Sequence, residues 1–309
     1  MVTGGAGFIG HHLARRLLED GHEVRILDNF SSGDRERLRG LDVAVVEGDL
    51  RSYERAHAAV QGVDVVFHLG ALPSVPRSVQ DPLTTGAVNV EGTLNMLLAS
   101  RDEGVRRVVF ASSSSVYGVS DELPRTEQDQ PLPVSPYGVS KLAAEHYCRA
   151  FTAVYSLETV GLRLFNVFGP RQDPRSQYAA VIPRLITAFA GEGTPVIYGD
   201  GLQTRDFTYI EDVVDAFVLA ADEDVPGGEV FNICTGAETS VLELFEILGT
   251  LFGLRIEPQF EPARPGEVRR SCGDPRKAAA MLGWKPRRAL ATALRECISL
   301  WPATANVAP

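Results

Sequence analysis

Short runs of consecutive apolar residues alternate along this chain with stretches in which apolar side chains recur every three or four positions. Residues 43–46, 63–69 and 107–111 are runs of the first kind. Each is short enough for a strand buried on both faces, and each ends in small or polar residues. The stretches between them carry helical spacing, beginning with His11 to Leu18. Strand, helix and strand in repetition predict a doubly wound parallel sheet, an α/β architecture. Ligands on such sheets lie beyond the carboxyl ends of the strands, so Asp49, Leu50, Ala71 and the serines at 112–115 are expected to share one crevice.

The first helix is entered through Gly4, Gly7 and Gly10, spaced GxxGxxG. Such a turn lets backbone N–H groups approach a pyrophosphate, and the positive end of the helix dipole favours the anion. A second apolar run over 23–28 ends in Asp28, where a carboxylate can accept from ribose hydroxyls and would repel a 2′-phosphate, so NAD is expected rather than NADP. The strand before the turn should be about five residues long. Only Met1, Val2 and Thr3 precede Gly4, the shortfall expected of a start codon assigned too far downstream. After Lys141 a helix is expected to reach about Tyr155, with a strand over 159–164. Prolines at 183, 195, 226, 258, 262, 265, 275 and 286 then break the alternation and predict a smaller C-terminal lobe over the crevice, while residues 306–309 read as a disordered end.

At 309 residues, 44% hydrophobic and 23% charged, the composition is that of a globular chain, and a net charge of -10 argues against non-specific binding to nucleic acid or an anionic membrane. No apolar run approaches membrane-spanning length, and a cytoplasmic enzyme is expected. Cys148, Cys234, Cys272 and Cys297 are widely spaced and read as buried thiols; neither they nor the six histidines show metal-ligand spacing, so no metal is expected.

The chemistry is expected in residues 135–141, where Tyr137 and Lys141 stand four apart and so share one face of a helix. An adjacent ammonium favours the phenolate and should draw the phenol from about 10 toward neutrality. Three units require about 4 kcal/mol, more than one exposed ammonium supplies, so the charge of an oxidised nicotinamide is expected to help.

The glycine turn, Asn89-Val90-Glu91-Gly92-Thr93, Ser112 to Gly118, Tyr137 with Lys141, and Arg163 to Pro170, in that order, resemble the extended short-chain dehydrogenase/reductases. Within them the chain is most similar to the NAD-dependent UDP-sugar 4-epimerases. The resemblance implies a Rossmann-type sheet, with residues 1–165 and about 204–235 holding NAD and about 166–203 with 236–309 forming an α/β lobe for the nucleotide sugar. It assigns NAD to Gly4, Gly7, Phe8, Ile9, Gly10, Asp28, Asn29, Ser32, Gly33, Asp49, Leu50, Leu69, Ala71, Asn89, Ser112, Tyr137 and Lys141. Tyr137 is implied to be the acid/base, Lys141 its tuning partner, and Ser113 the hydroxyl on the sugar O4, although Ser112 and Ser114 flank it in a run of four serines.

For the substrate the resemblance implies Ser74, Arg77, Ser113, Ser114, Asn166, Ala180, Val181, Arg205, Arg264, Glu267 and Ser271, the two arginines 205 and 264 clamping the diphosphate. Ser115 stands where related dehydratases and decarboxylases carry an acid, which favours epimerisation. Ser271 stands where glucose-restricted members carry tyrosine, so UDP-N-acetylglucosamine and its galacto epimer are expected, with UDP-glucose left open, since removing a steric block permits a larger substrate without requiring it. A UDP-glucuronate 4-epimerase or a net-redox reductase of a keto-sugar nucleotide is the alternative. A homodimer is expected through the helices after Asn89 and around Tyr137, with Leu94, Leu97, Leu98, Leu142 and Ala143 as its apolar face.

Overall fold

The computed structural model describes residues 1–174, 180–222, 224–263 and 268–301. In chain order the elements are β1 Val2–Thr3, α1 Phe8–Glu19, β2 Val24–Asp28, β3 Val43–Glu47, α2 Tyr53–Val60, β4 Val65–His68, α3 Val75–Gln80, α4 Pro82–Gly86, α5 Gly92–Asp102, β5 Arg107–Ser113, α6 Pro136–Tyr155 and β6 Glu158–Leu164. They continue through α7 Val181–Phe189, β7 Val196–Tyr198, β8 Thr204–Arg205, α8 Ile210–Ala220, β9 Glu229–Ile233, β10 Thr239–Ser240, α9 Val241–Phe252, β11 Gln259–Glu261, α10 Arg276–Met281 and α11 Leu290–Ser299.

Seven strands form one parallel sheet in the order β3-β2-β1-β4-β5-β6-β9. The chain leaves β1 toward β2 and β3, then returns to β4 on the other side, so the switch point lies between β1 and β4. One apolar core packs the face carrying α1 and α8 and a second packs α2, α5 and α6 on the other. Beyond the sheet, β7 pairs with β11 in parallel and β8 with β10 antiparallel. The buried Asp206 carboxylate ties this region together by accepting from Thr235 N at 2.7 Å, Gly236 N at 2.9 Å and the Thr235 hydroxyl at 2.7 Å. Among the described residues no helix is long and apolar enough to cross a membrane.

Three expectations change. The strand β1 has only two residues, yet it is paired on both sides, Val2 with Ile26 and Phe67, and Met1 adds its carbonyl to Phe67 N at 2.9 Å. Between β2 and β3 there is a single 3₁₀ turn, Arg35–Leu38, in place of a helix, because three of its four residues are charged and offer no apolar face. The strand β3 is an edge rather than a buried strand, with Ala44 and Val45 exposed. Leu97 packs wholly inside the chain in the second core, and Leu94 and Leu98 pack against it. Residues 306–309 lie outside the described residues. All four cysteines are buried thiols.

His68 ties the switch point together. Its Nδ1 lies 2.8 Å from the Thr3 hydroxyl and its Nε2 3.0 Å from the Thr93 hydroxyl, and burial with the nearby Lys141 charge lowers its pKa to about 3. The folded protein therefore keeps this ring neutral where the unfolded chain takes up a proton, below 6.5. Its contribution is complete above the unfolded value and is lost as the pH falls from there toward the folded one, at about 1.4 kcal/mol per pH unit. Denaturant midpoints are expected to drop between neutral pH and pH ~5, and His68→Gln to flatten that slope. A His68→Gln slope as steep as that of the parent would remove His68 as the cause.

Candidate active site

The first glycine turn is shaped by close approach. Gly4 has φ +65°, and a Cβ there would lie 2.9 Å from the backbone of Gly70; a Cβ on Gly10 would lie 2.2 Å from the Gly4 carbonyl. No side chain caps α1, whose first residues, Phe8 and Ile9, follow Gly7 directly. Those leading N–H groups are left for a ligand. The Asp28 carboxylate faces the same turn, accepting from Ala6 N at 2.9 Å and Phe30 N at 2.8 Å, with Gly33 packed against it. Two bonds leave it acceptor sites for ribose hydroxyls. Asn29 donates to Asp49 at 2.9 Å, and Arg51 with that bond holds the Asp49 carboxyl well below the usual carboxylate range. Ser32 is exposed beside them. Across the turn, Leu50 packs on Gly70 and Gly92, and the Thr3 hydroxyl accepts from Leu69 N and Gly70 N, one residue before Ala71. A flat dinucleotide fits this cradle of backbone donors with a carboxylate at one end.

Asn89 is buried with its amide committed. It accepts from Leu72 N at 2.8 Å and donates to the Ser140 hydroxyl at 3.0 Å, and so fixes the loop after β4 against α6. That helix starts cleanly, since the Ser135 hydroxyl accepts from Gly138 N at 3.1 Å and Pro136 occupies the first turn. It places Tyr137 and Lys141, 9% and 3% exposed, over the ends of β5.

The serine run separates by direction. The Ser113 hydroxyl donates to the Ser115 hydroxyl at 3.1 Å, accepts from Ser115 N at 3.2 Å and lies near enough to the Tyr137 phenol to favour its ionised form. Ser112 instead points away, donating to Glu145, while Ser114 faces the neighbouring cavity. Of the three, Ser113 is the one whose hydroxyl acts on the phenol.

The expected pull of Lys141 on the phenol is not met. Burial pushes Tyr137 up to about 12, with the Ser113 hydroxyl opposing, and burial also brings Lys141 down to about 8. The Lys141 ammonium donates to the Ala111 carbonyl at 2.8 Å and lies 4.8 Å from the Phe110 ring, so its charge is directed at β5. Desolvation of the phenolate outweighs one positive charge so engaged.

Past Ser114 a cavity of about 310 Å³ opens between the sheet and the β7–β8 region, without Ser113, Tyr137 or Lys141 in its lining. Ser114, Asn166, Ala180, Val181, Arg205 and Ser271 all line it. Ser74 caps α3 by accepting from Arg77 N at 3.1 Å, and the intervening Val75 and Pro76 reach the cavity. Arg264 and Glu267 lie outside the described residues. Arg184, Tyr198 and Gln203 also line the cavity and were missed. The Arg184 guanidinium stacks 4.8 Å from the Tyr198 ring. Nothing in the sequence separates Arg184 from a solvated charge on an amphipathic helix; only the tertiary pairing with Tyr198 does.

A sequence profile described as the NAD dependent epimerase/dehydratase family matches residues 1–234. A curated relative named UDP-glucose 4-epimerase, from Mycolicibacterium smegmatis, is 41% identical over 97% of both chains. Among solved structures, a Thermotoga maritima UDP-glucose 4-epimerase with UDP-glucose superposes with a TM-score of 0.93 at 37% identity, covering 97% of each chain. A UDP-N-acetylglucosamine 4-epimerase from Methanobrevibacter ruminantium, in complex with UDP-N-acetylmuramic acid, gives 0.92 at 38% identity over 97% of this chain and 96% of that one.

Proposed function

The chain belongs to the NAD dependent epimerase/dehydratase family, and from that premise we propose that it is an isomerase, a UDP-sugar 4-epimerase acting on UDP-N-acetylglucosamine and its galacto epimer, with UDP-glucose as a second substrate. The observation that carries this is the Ser113 hydroxyl placed close to the Tyr137 phenol, with Lys141 one turn on and Ser114 opening onto the cavity that Arg205 and Ser271 line. Bound NAD would supply a hydride acceptor for the sugar C4 and a hydride donor to the opposite face of the resulting keto sugar. Tyr137 removes the O4 proton and later restores it, Ser113 holds O4 by a hydrogen bond, and Lys141, whose ammonium alone does not bring the phenol down, joins the positive charge of the bound nicotinamide in favouring the phenolate. Arg205 binds the diphosphate with charge-assisted bonds, and Arg264 and Glu267 complete the nucleotide contacts in this reading. Ser115 leaves no carboxylate where elimination or decarboxylation would require one.

The same reading divides the chain into a cofactor half, residues 1–165 with about 204–235, and a sugar-nucleotide lobe of about 166–203 with 236–309, in a cytoplasmic protein. A second copy is proposed to dock on α3, α4 and α6, where Val79, Leu83 and Val139 are exposed, Leu83 by 86%.

The test is incubation of the purified protein, without added cofactor, with UDP-N-acetylglucosamine, UDP-glucose or UDP-glucuronate, following the anomeric protons by NMR. A galacto product from the first two is expected. Product from UDP-glucuronate alone would reassign the sugar, and steady consumption of added NADH by a 4-keto substrate would replace epimerisation by net reduction.

A further inference from the structure

Beneath the Tyr137–Lys141 pair lies a carboxylate that the proposed chemistry does not use. Glu145 stands one turn beyond Lys141 on α6 and is 6% exposed, and Arg163 on β6 is 4% exposed. Arg163 holds it at two points, Nε to Oε1 at 3.0 Å and Nη2 to Oε2 at 2.8 Å, while the Ser112 hydroxyl donates to Oε1. Through Nη1 the same guanidinium donates to the Tyr117 hydroxyl at 2.9 Å, which donates to Asn232 at 2.6 Å. Every arm of this network is buried, and the carboxylate is held at both oxygens. Charged pairs buried this deeply rarely hold a fold better than apolar residues of the same shape. Their presence here points to a use for the charge.

Lys141 is the group in position to use it. On a helix, residues four apart are neighbours. Burial lowers Lys141, and the group on its own helix whose charge opposes this is Glu145, since burial pushes the Cys148 thiol up to about 12 and keeps it neutral. From β4 it faces His68, whose ring is kept neutral; from β5 it meets only the Ala111 carbonyl and the Phe110 ring; from β6 Arg163 reaches it through Glu145.

We propose that Glu145 is a positioning residue for the active site: clamped by Arg163 and Ser112, its fixed negative charge keeps the Lys141 amine in the ammonium form. The consequence for turnover rests on the proposed epimerase chemistry, whereas the charge state of Lys141 does not.

The chain has three lysines, Lys141, Lys277 and Lys285, so holoprotein labelled at the lysine ε-carbon gives three resonances to titrate, assigned with Lys277→Arg and Lys285→Arg. Glu145→Gln is expected to lower the Lys141 midpoint by about one pH unit. Glu145→Asp, which keeps the charge, should restore it toward the parent value. The alkaline limb of kcat/KM should move with the midpoint. Should Glu145→Gln fail to fold, the double variant Glu145→Gln/Arg163→Met strands no cation; because it also removes the more distant positive charge, it is expected to lower the midpoint by a smaller amount. An unmoved midpoint in either folded variant makes Glu145 a structural strut and overturns the proposal. A shifted midpoint in a protein that turns over no UDP-sugar leaves the proposal standing and refutes the epimerase reading instead.

Discussion

Tyr137→Phe is expected to lower kcat for UDP-sugar epimerisation by about 10²- to 10⁴-fold, the range contributed by a positioned general acid/base, while NAD stays bound. The substitution deletes one oxygen and leaves the ring. The Tyr137 side chain is buried and its backbone N–H donates to the Ser78 hydroxyl at 3.0 Å, so the helix start should survive the change. What is lost is the group that the Ser113 hydroxyl acts on. The expected pH behaviour follows from the sign of the titration. Removal of the O4 proton needs the phenolate, so turnover should rise as the pH rises through the phenol pKa. In the protein alone burial holds that value up at about 12. Activity near neutrality therefore requires that the positive charges gathered on cofactor binding offset the desolvation, and NAD-bound protein should titrate well below the cofactor-free form. The check is paired: galacto product by NMR for turnover, and NAD released on denaturation for cofactor content. Undiminished turnover in Tyr137→Phe would end the acid/base assignment, and loss of NAD along with activity would make Tyr137 a binding residue.

The parts of the site legible in the sequence are those whose signals are local. The glycine turn is written in spacing alone, because Gly4 and Gly10 are excluded from carrying a Cβ by their own neighbours in the chain and by Gly70. The working helix is likewise announced by Ser135 and Pro136 at its start and by the four-residue offset of Tyr137 and Lys141. Strand boundaries were less legible where the sheet ends. The strand β3 carries the same apolar run as the buried strands, but nothing in that run says that one side has no neighbour. Least legible was anything fixed by desolvation or by distant partners. Residue types suggested that Lys141 would pull Tyr137 down, yet burial raises the phenol and the ammonium is turned to the Ala111 carbonyl. The Asn89 amide is occupied by Leu72 and Ser140, the latter 51 positions away, a pairing that no local signal announces. The Arg184–Tyr198 stack joins two elements that no periodicity relates.

Ser271→Tyr is expected to lower kcat/KM for UDP-N-acetylglucosamine by about 10- to 200-fold relative to UDP-glucose, the discrimination that steric fit in a pocket can supply. The position lines the cavity of about 310 Å³, and its backbone N–H is bonded to the Thr204 carbonyl at 3.2 Å, a contact that any side chain leaves in place. A phenol ring added there takes up volume on the wall where the resemblance to glucose-restricted epimerases puts the C2 substituent. A hydroxyl at C2 should still fit, and an N-acetyl group should not. Specificity constants for both sugars in parent and variant decide the matter, because the expected result is a change in their ratio. A parallel loss on both substrates would mean that the ring obstructs the nucleotide or the whole mouth of the cavity, placing Ser271 away from C2. No loss on either would mean that the ring swings out of the cavity, and the tolerance of an N-acetyl group would then have to be set elsewhere on the wall, where Arg184 and Tyr198 face the same space.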